Sequence, residues 1–122
     1  MAKKILIVDD EPNLVKILES RLKSNGYDVI SAIDGQQGLD RVRQDKPDLV
    51  ILDLMLPKLH GYEVCKQLRA DSTHKDIPIV MLTASGKAGD IQEGLNQGAN
   101  AYIAKPFQPE ALLGIIKALI WE

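Results

Sequence analysis

The sequence is poor in the features that mark secreted, membrane-spanning or nucleic-acid-binding proteins. It contains one cysteine, so no internal disulfide can form, whereas small secreted domains normally carry several. No apolar run approaches the roughly 20 residues that cross a bilayer, and the run at residues 5–8 is too short for a signal peptide. Lys plus Arg total 15 against 17 for Asp plus Glu, which leaves no basic excess for nucleic acid. We therefore expect a cytoplasmic protein that binds neither membrane nor nucleic acid directly.

The chain does have the composition of an ordinary globular domain. Of its 122 residues, 45% are hydrophobic and 26% are charged, which is enough apolar surface to build one core. Because single domains typically have roughly 100–150 residues, we expect one domain over residues 1–122.

Short apolar runs alternate with stretches of helical periodicity along the whole chain. Strands are predicted at residues 5–8, 27–32, 49–52, 79–82 and 101–104. Helices are predicted at residues 12–24, 62–69, 90–96 and 109–121, and after the pair Asp34 and Gln37, which resembles a capping box. Wholly apolar strands between helices are typical of a parallel sheet covered on both faces. The sequence therefore predicts an α/β fold with a doubly wound, five-stranded parallel sheet of flavodoxin-like order 2-1-3-4-5.

Two helices lead to specific predictions about burial. In the first helix, the residues predicted to share the core-facing side are Leu14, Ile17, Leu18 and Leu22. In the last helix, apolar residues spread over an arc of about 200°, roughly twice the usual core-facing stripe. We therefore predict outward-facing residues among Leu113, Ile120 and Trp121, and a protein-binding surface over residues 88–121.

Ligands of open parallel sheets bind outside the carboxyl ends of the strands, so the residues that follow each strand are the candidates for a binding site. Those residues are Asp9, Asp10 and Glu11 after the first strand, Asp53 after the third, Thr83 after the fourth and Lys105 after the fifth. Each has an ordinary explanation when taken alone. The pair after strand one can cap a helix, Asp53 can be a turn residue, and Lys105 can be a solvated charge.

Taken together, these residues favour a different interpretation. The first and third strands are predicted neighbours, which brings Asp9, Asp10 and Asp53 to one edge of the sheet. Three close carboxylates raise each other's pKa unless positive charge lies among them, and Lys105 with a divalent cation would supply it. A set of metal ligands that contains only oxygen atoms, with no His or Cys, favours a hard ion such as Mg²⁺. Carboxylate, hydroxyl, ammonium and metal at one point are typical of phosphoryl transfer, with the carboxylate attacking phosphorus.

The same residues resemble the receiver domain of response regulators in bacterial two-component signalling. The resemblance covers the chain from Lys4 to the last helix. The matching motifs are ILIVDDE at residues 5–11, DLMLP at residues 53–57 with Gly61, LTA at residues 82–84, GA at residues 98–99 with Tyr102, and KPF at residues 105–107. Each motif falls at the end of a predicted strand, which makes the combination specific.

The resemblance implies a phosphoacceptor and a metal site. Asp53 would accept a phosphoryl group from the phosphohistidine of a sensor histidine kinase or phosphotransfer protein. Asp10 and Asp53 would ligate Mg²⁺ directly and Asp9 through water, with the backbone carbonyl of Met55 completing the protein ligands. The domain would catalyse only its own phosphorylation and dephosphorylation, so a turnover enzyme is not expected.

The resemblance also implies how the phosphoryl group is sensed. Thr83 would contact it, and Lys105 would pair first with the Asp53 carboxylate and then with the phosphate. Tyr102 would be the switch residue that moves inward as Thr83 is drawn toward the phosphate. A cis bond before Pro106 would direct Lys105 to the site. The surface over residues 88–121 would then bind a downstream target protein or an output domain, or form a homodimer, and the sequence suits either a stand-alone receiver or part of a longer regulator.

The same residues argue against three other functions. A haloacid-dehalogenase-type phosphatase needs a second Asp two residues after its nucleophile, where this chain has Met55. A flavodoxin-type flavin carrier needs a Ser/Thr/Gly-rich phosphate loop after the first strand, where the acidic residues 9–11 would repel phosphate. A phosphorylation-inert relative is disfavoured because all five polar residues of the receiver pattern are intact.

Overall fold

The computed structural model describes residues 2–56, 58–83, 98–105 and 107–120. Three predictions therefore lie outside the described residues: the helix at residues 90–96, the bond before Pro106 and the placement of Trp121. Of the surface predicted over residues 88–121, the part formed by residues 88–97 lies outside them as well.

All five predicted strands are present in one parallel sheet. Their bounds are β1 (Lys4–Val8), β2 (Asp28–Ala32), β3 (Leu49–Asp53), β4 (Ile79–Thr83) and β5 (Ala101–Ala104). The order across the sheet is β2-β1-β3-β4-β5, and every neighbouring pair is parallel. The predicted fold class and strand order are confirmed.

Four helices lie within the described residues, and their ends follow local sequence signals. They are α1 (Pro12–Ser24), α2 (Gly35–Asp45), α3 (Gly61–Ala70) and α4 (Pro109–Leu119). The predicted cap of α2 is present: Asp34 Oδ1 accepts from the Gln37 backbone N–H at 2.8 Å, and Gln37 Oε1 accepts from Ile33 N–H at 2.8 Å. Gly26, with φ of 88°, provides the left-handed turn after α1. No helix in the described ranges is long and apolar enough to cross a membrane.

The core consists of two apolar clusters, one on each face of the sheet. The cluster beneath α2 and α3 contains Leu6, Val8, Leu39, Val42, Val50, Leu52, Val64, Cys65 and Leu68. The cluster beneath α1 and α4 contains Ile5, Ile7, Leu18, Leu22, Leu49, Ile51, Leu112, Leu113 and Ile116. Strands β1, β3 and β4 are covered on both faces, and buried polar residues stand at their carboxyl ends: Asp53 and Thr83 end β3 and β4, and Asp9 directly follows β1.

The predicted burial is wrong at two residues, Ile17 and Leu113. Ile17 is 57% exposed, and Val15 packs against the core in its place. Leu113 is buried at 8% exposure, beside Leu112 and Ile116, and Ile120 is partly buried against the same cluster. The wide apolar arc of α4 therefore packs into the cluster that it shares with α1, so Leu113 is not available as an outward-facing contact.

Candidate phosphoryl-transfer site

The sheet brings the predicted site residues together at its carboxyl edge. Asp9 follows β1, while Asp53 and Thr83 are the last residues of β3 and β4. Lys105 follows β5, and its backbone N–H donates to the Thr83 carbonyl at 2.6 Å. All four positions lie on adjacent strands because β1, β3, β4 and β5 are consecutive in the sheet.

Three carboxylates converge at this edge. One oxygen each of Asp9, Asp10 and Asp53 lies within 4.8 Å of the others. Asp9 and Asp53 are buried, whereas Asp10 is exposed. Within the described residues, this group offers only carboxylate oxygens as metal ligands, and one of the three carboxylates faces solvent. The group therefore fits a hard cation that keeps part of its water shell, such as Mg²⁺. The water-mediated role of Asp9 and the Met55 carbonyl ligand stay predictions.

Lys105 provides the positive charge of the site, but its closest partners differ from the predicted one. Its Nζ is 3.0 Å from Glu11 Oε1, 3.1 Å from Asp9 Oδ2 and 3.7 Å from Asp53 Oδ1. Burial lowers the pKa of Lys105, but the hydrogen bonds to Glu11 and Asp9 and the charge of Asp53 outweigh it and raise the pKa above its usual value. Glu11 was not among the predicted site residues, although its place directly after the acidic pair was the available signal.

The carboxyl group of Asp53 has an unusual proton affinity. Burial is the main cause that raises the pKa of Asp53 to about 6, and the charges of Asp9 and Asp10 act in the same direction, while Lys105 and the Met55 backbone N–H oppose them. A carboxyl group with this pKa is mostly ionised at neutral pH. Asp53 is therefore both a competent nucleophile and a strong base for a carboxylate.

Asp53 also makes the stability of the domain depend on pH. Because the folded pKa lies above the unfolded one, protonated Asp53 favours the fold at low pH, and this contribution is lost as pH rises through about 6. We expect the Asp53→Asn variant, measured with chelator present, to have a free energy of unfolding higher than wild type at pH 7.5 by up to about 3 kcal/mol. The difference should fall toward zero at pH 4. Urea unfolding of both proteins at the two pH values measures the difference. An equal difference at pH 7.5 and pH 4 would contradict the prediction.

The predicted switch pair lies on the two strands at one side of the sheet. Thr83 is buried at the end of β4, and Tyr102 on β5 pairs with Met81 of β4. The Tyr102 ring packs against the cluster beneath α2 and α3, and its hydroxyl is buried with no hydrogen-bond partner in the described structure. Tyr102 thus already points inward here, and its movement with Thr83 stays a prediction.

The buried Tyr102 hydroxyl leads to a stability prediction. A buried polar group without a hydrogen-bond partner loses its hydration on folding and gains no hydrogen bond in exchange. We expect Tyr102→Phe to retain the full free energy of unfolding of the unphosphorylated protein or to raise it by about 1 kcal/mol. Chemical denaturation of the two proteins at equal pH checks this. A loss of more than about 1 kcal/mol would show that the hydroxyl has a stabilising partner.

Comparisons with known proteins find a family match over most of the chain. The family profile described as "Response regulator receiver domain" matches residues 5–117. The chain is 48% identical over 120 residues to the alkaline phosphatase synthesis transcriptional regulatory protein PhoP of Bacillus subtilis (strain 168), covering 98% of this chain and 49% of PhoP. The chain thus spans about half the length of the curated relatives that it matches.

Solved structures show the same fold at similar lengths. The chemotaxis response regulator CheY4 of Vibrio cholerae has a TM-score of 0.93 and 33% identity, over 98% of this chain and all (100%) of that one. The receiver domain of the sensor histidine kinase PA1611 from Pseudomonas aeruginosa PAO1 has a TM-score of 0.91 and 34% identity, over 100% of both chains. That second structure holds a magnesium ion in its active-site cleft.

Proposed function

Because this chain belongs to the response regulator receiver domain family, we propose that its Asp53 accepts a phosphoryl group from the phosphohistidine of a sensor kinase or phosphotransfer protein. One observation carries the assignment to this residue. Asp53 is the carboxylate at the end of β3 that lies beside both Asp9 and Asp10 and has a lysine ammonium 3.7 Å away. Asp9 lies in the same group, but its two oxygens already accept from the Glu11 backbone N–H at 2.9 Å and from the Lys105 ammonium at 3.1 Å, so Asp53 is the better placed nucleophile.

The transfer needs little from the protein beyond position and charge. An ionised Asp53 oxygen forms a bond to phosphorus while the phosphorus–nitrogen bond of the donor breaks, and the electron pair returns to the imidazole nitrogen. The pKa of about 6 keeps Asp53 mostly ionised at neutral pH, so no separate base is needed. The product is an acyl phosphate, which water hydrolyses, so the mark is temporary.

Positive charge around the acceptor would be divided between the metal and Lys105. The carboxylates of Asp9, Asp10 and Asp53, with the Met55 carbonyl, would hold Mg²⁺, which when bound neutralises the phosphoryl oxygens. The Lys105 ammonium would turn from its present partners to a phosphoryl oxygen. The hydroxyl of Thr83, at the end of the neighbouring strand, would donate to another.

Phosphorylation would act as a signal through added charge. A phosphoryl group adds about −1.5 to −2 charge at this edge and would bias Thr83 and Tyr102 toward a second arrangement. The change would reach a downstream target protein, an output domain or a second copy of the chain through the surface over residues 88–121. In this role the domain modifies itself and turns over no separate substrate.

Incubation with acetyl phosphate tests the function directly. We expect intact-mass measurement to show one phosphoryl group per chain when Mg²⁺ is present, none when chelator removes it, and slow loss after the donor is withdrawn. Rapid release of inorganic phosphate over many turnovers, without a phosphorylated chain, would instead indicate a phosphatase. Absence of labelling under all these conditions would contradict the proposal.

A further inference from the structure

The Lys105 ammonium is closer to Glu11 than to the proposed phosphoacceptor. The Nζ to Oε1 distance is 3.0 Å for Glu11, against 3.7 Å to Asp53 Oδ1. We propose that Glu11 is a positioning residue that holds the Lys105 ammonium away from Asp53 until a phosphoryl group competes for it. This inference rests on the proposed function, because it concerns the lysine that would contact the phosphoryl group.

The place of Glu11 at the start of α1 supports this role. Glu11 is the N-cap residue of α1 and has extended backbone angles, yet its side chain accepts no hydrogen bond from the first turn. Asp, Asn, Ser and Thr are the usual residues at this position because their short side chains reach the free backbone N–H groups. Asp34 does so at the start of α2. At α1 the side chain is longer and is directed to Lys105 instead of capping the helix.

Glu11 is also the partner of Lys105 that can most easily be displaced. The Glu11 side chain is 61% exposed, whereas that of Asp9 is 0% exposed. The Glu11 backbone N–H donates to Asp9 Oδ1 at 2.9 Å, so the backbone stays fixed while the side chain is free to exchange Lys105 for water. Exposed ion pairs are weak, so the contact holds the ammonium without trapping it.

The consequence is a modest and measurable cost for any phosphoryl-like ligand on Asp53. Such a ligand must take Lys105 from Glu11, so removal of the Glu11 contact should strengthen its binding. The usual strength of exposed ion pairs corresponds to a change in affinity of roughly two- to fivefold. The change should depend on the contact with Lys105 and not merely on one negative charge near the site.

Beryllofluoride is a suitable probe because it binds a carboxylate oxygen as a phosphoryl analogue without reacting further. Its dissociation constant would be measured by ¹⁹F NMR in Mg²⁺ for wild type, Glu11→Gln, Glu11→Asp and Glu19→Gln. Glu11→Asp keeps the charge but shortens the arm that reaches Lys105. Glu19→Gln is the charge-matched control, since Glu19 lies on α1 and pairs with Lys23 at 2.8 Å.

We expect both Glu11 variants to bind beryllofluoride roughly two- to fivefold more tightly than wild type, and Glu19→Gln to bind like wild type. Glu11→Asp should also raise the melting temperature by a few degrees, because the shorter side chain can cap α1. A merely structural role for Glu11 predicts the opposite change in stability and no tightening.

Each other result has a definite meaning. Wild-type affinity in Glu11→Asp, or equal tightening in Glu11→Gln and Glu19→Gln, would overturn the role of Glu11 and leave the proposed function intact. Failure of wild type to bind beryllofluoride, or full binding by Asp53→Asn, would contradict the proposed function and the inference with it.

Discussion

We expect Asp53→Asn to abolish phosphorylation of this domain by acetyl phosphate while the domain stays folded. An amide nitrogen and a neutral carbonyl oxygen replace the two oxygens of the carboxylate that ends β3 beside Asp9 and Asp10, with the Lys105 ammonium 3.7 Å away. Without an anionic oxygen at this point no bond to phosphorus forms, so labelling should fall at least about a hundredfold. Intact-mass measurement over a time course gives the extent of labelling.

The same substitution at another acidic position provides the control. Asp40 lies on the exposed side of α2, where its only recorded polar contact in the described structure is with Gln36 at 3.3 Å. Asp40→Asn removes the same charge and should be labelled like wild type. Because Asp53→Asn also relieves carboxylate repulsion, its melting temperature without metal should be no lower than that of wild type. Full labelling of Asp53→Asn would place the acceptor elsewhere, and a large drop in melting temperature would make Asp53 structural.

The architecture could be predicted from the sequence because each buried strand has a recognisable apolar pattern of its own. Both β1 and β3 are covered on both faces, so each contains an uninterrupted four-residue apolar run that is followed by an acidic residue. The start of α2 was also predictable, since Asp34 and Gln37 form their capping contacts within four residues of each other. Contacts between residues close in sequence can be predicted without knowing how distant parts of the chain fold.

The errors arose where several apolar residues surround one helix. On α1, Ile17 lies about 120° from the midpoint between Leu18 and Leu22, whereas Val15 lies about 40° from it. The angles therefore favour Val15 over Ile17, and the error came from grouping Ile17 with its apolar neighbour Leu18 instead of by its angular position. The sheet decides between them by covering one side of the helix, which leaves Ile17 exposed and Val15 packed.

Contacts within the site were only partly predictable. Strand order brings Asp9, Asp53 and Lys105 to one edge, and the sequence pattern indicates that order. The choice of partner for Lys105 depends instead on side-chain geometry between residues 94 positions apart, where Glu11 Oε1 is nearest. Strand spacing places several carboxylates within reach of one ammonium, and only the three-dimensional packing ranks them.

The backbone at Asp53, the proposed phosphoacceptor, and at Leu54 lies so close to the start of α3 that one added methyl group should disrupt it. A Cβ atom at Gly61 would lie 2.6 Å from the Asp53 carbonyl oxygen and 2.8 Å from the Leu54 Cα. Both are backbone atoms, which cannot turn aside as a flexible side chain can. The Gly61 N–H also donates to the Leu54 carbonyl at 2.9 Å, so the start of α3 is fixed against the end of β3.

We therefore expect Gly61→Ala to lower the free energy of unfolding by about 3 kcal/mol, because the added atom forces the backbone apart. The displaced Asp53 should accept phosphoryl groups at least about tenfold more slowly, since small shifts of a reacting group slow catalysis strongly. Urea denaturation and the rate of labelling by acetyl phosphate measure the two effects. Stability and labelling both equal to wild type would show that β3 and α3 can separate at no cost.

Gly114 in α4 supplies the matched control for this substitution. A Cβ atom there would meet nothing within 4 Å, and its position in the interior of a helix favours alanine over glycine. Gly114→Ala should raise the free energy of unfolding by roughly 0.5–1 kcal/mol and leave labelling unchanged. The same chemical change thus has opposite effects on stability at the two positions, and only the change at Gly61 reaches Asp53. If Gly114→Ala slowed labelling as much as Gly61→Ala, the loss would come from a general effect of the substitution and not from contact with the Asp53 backbone.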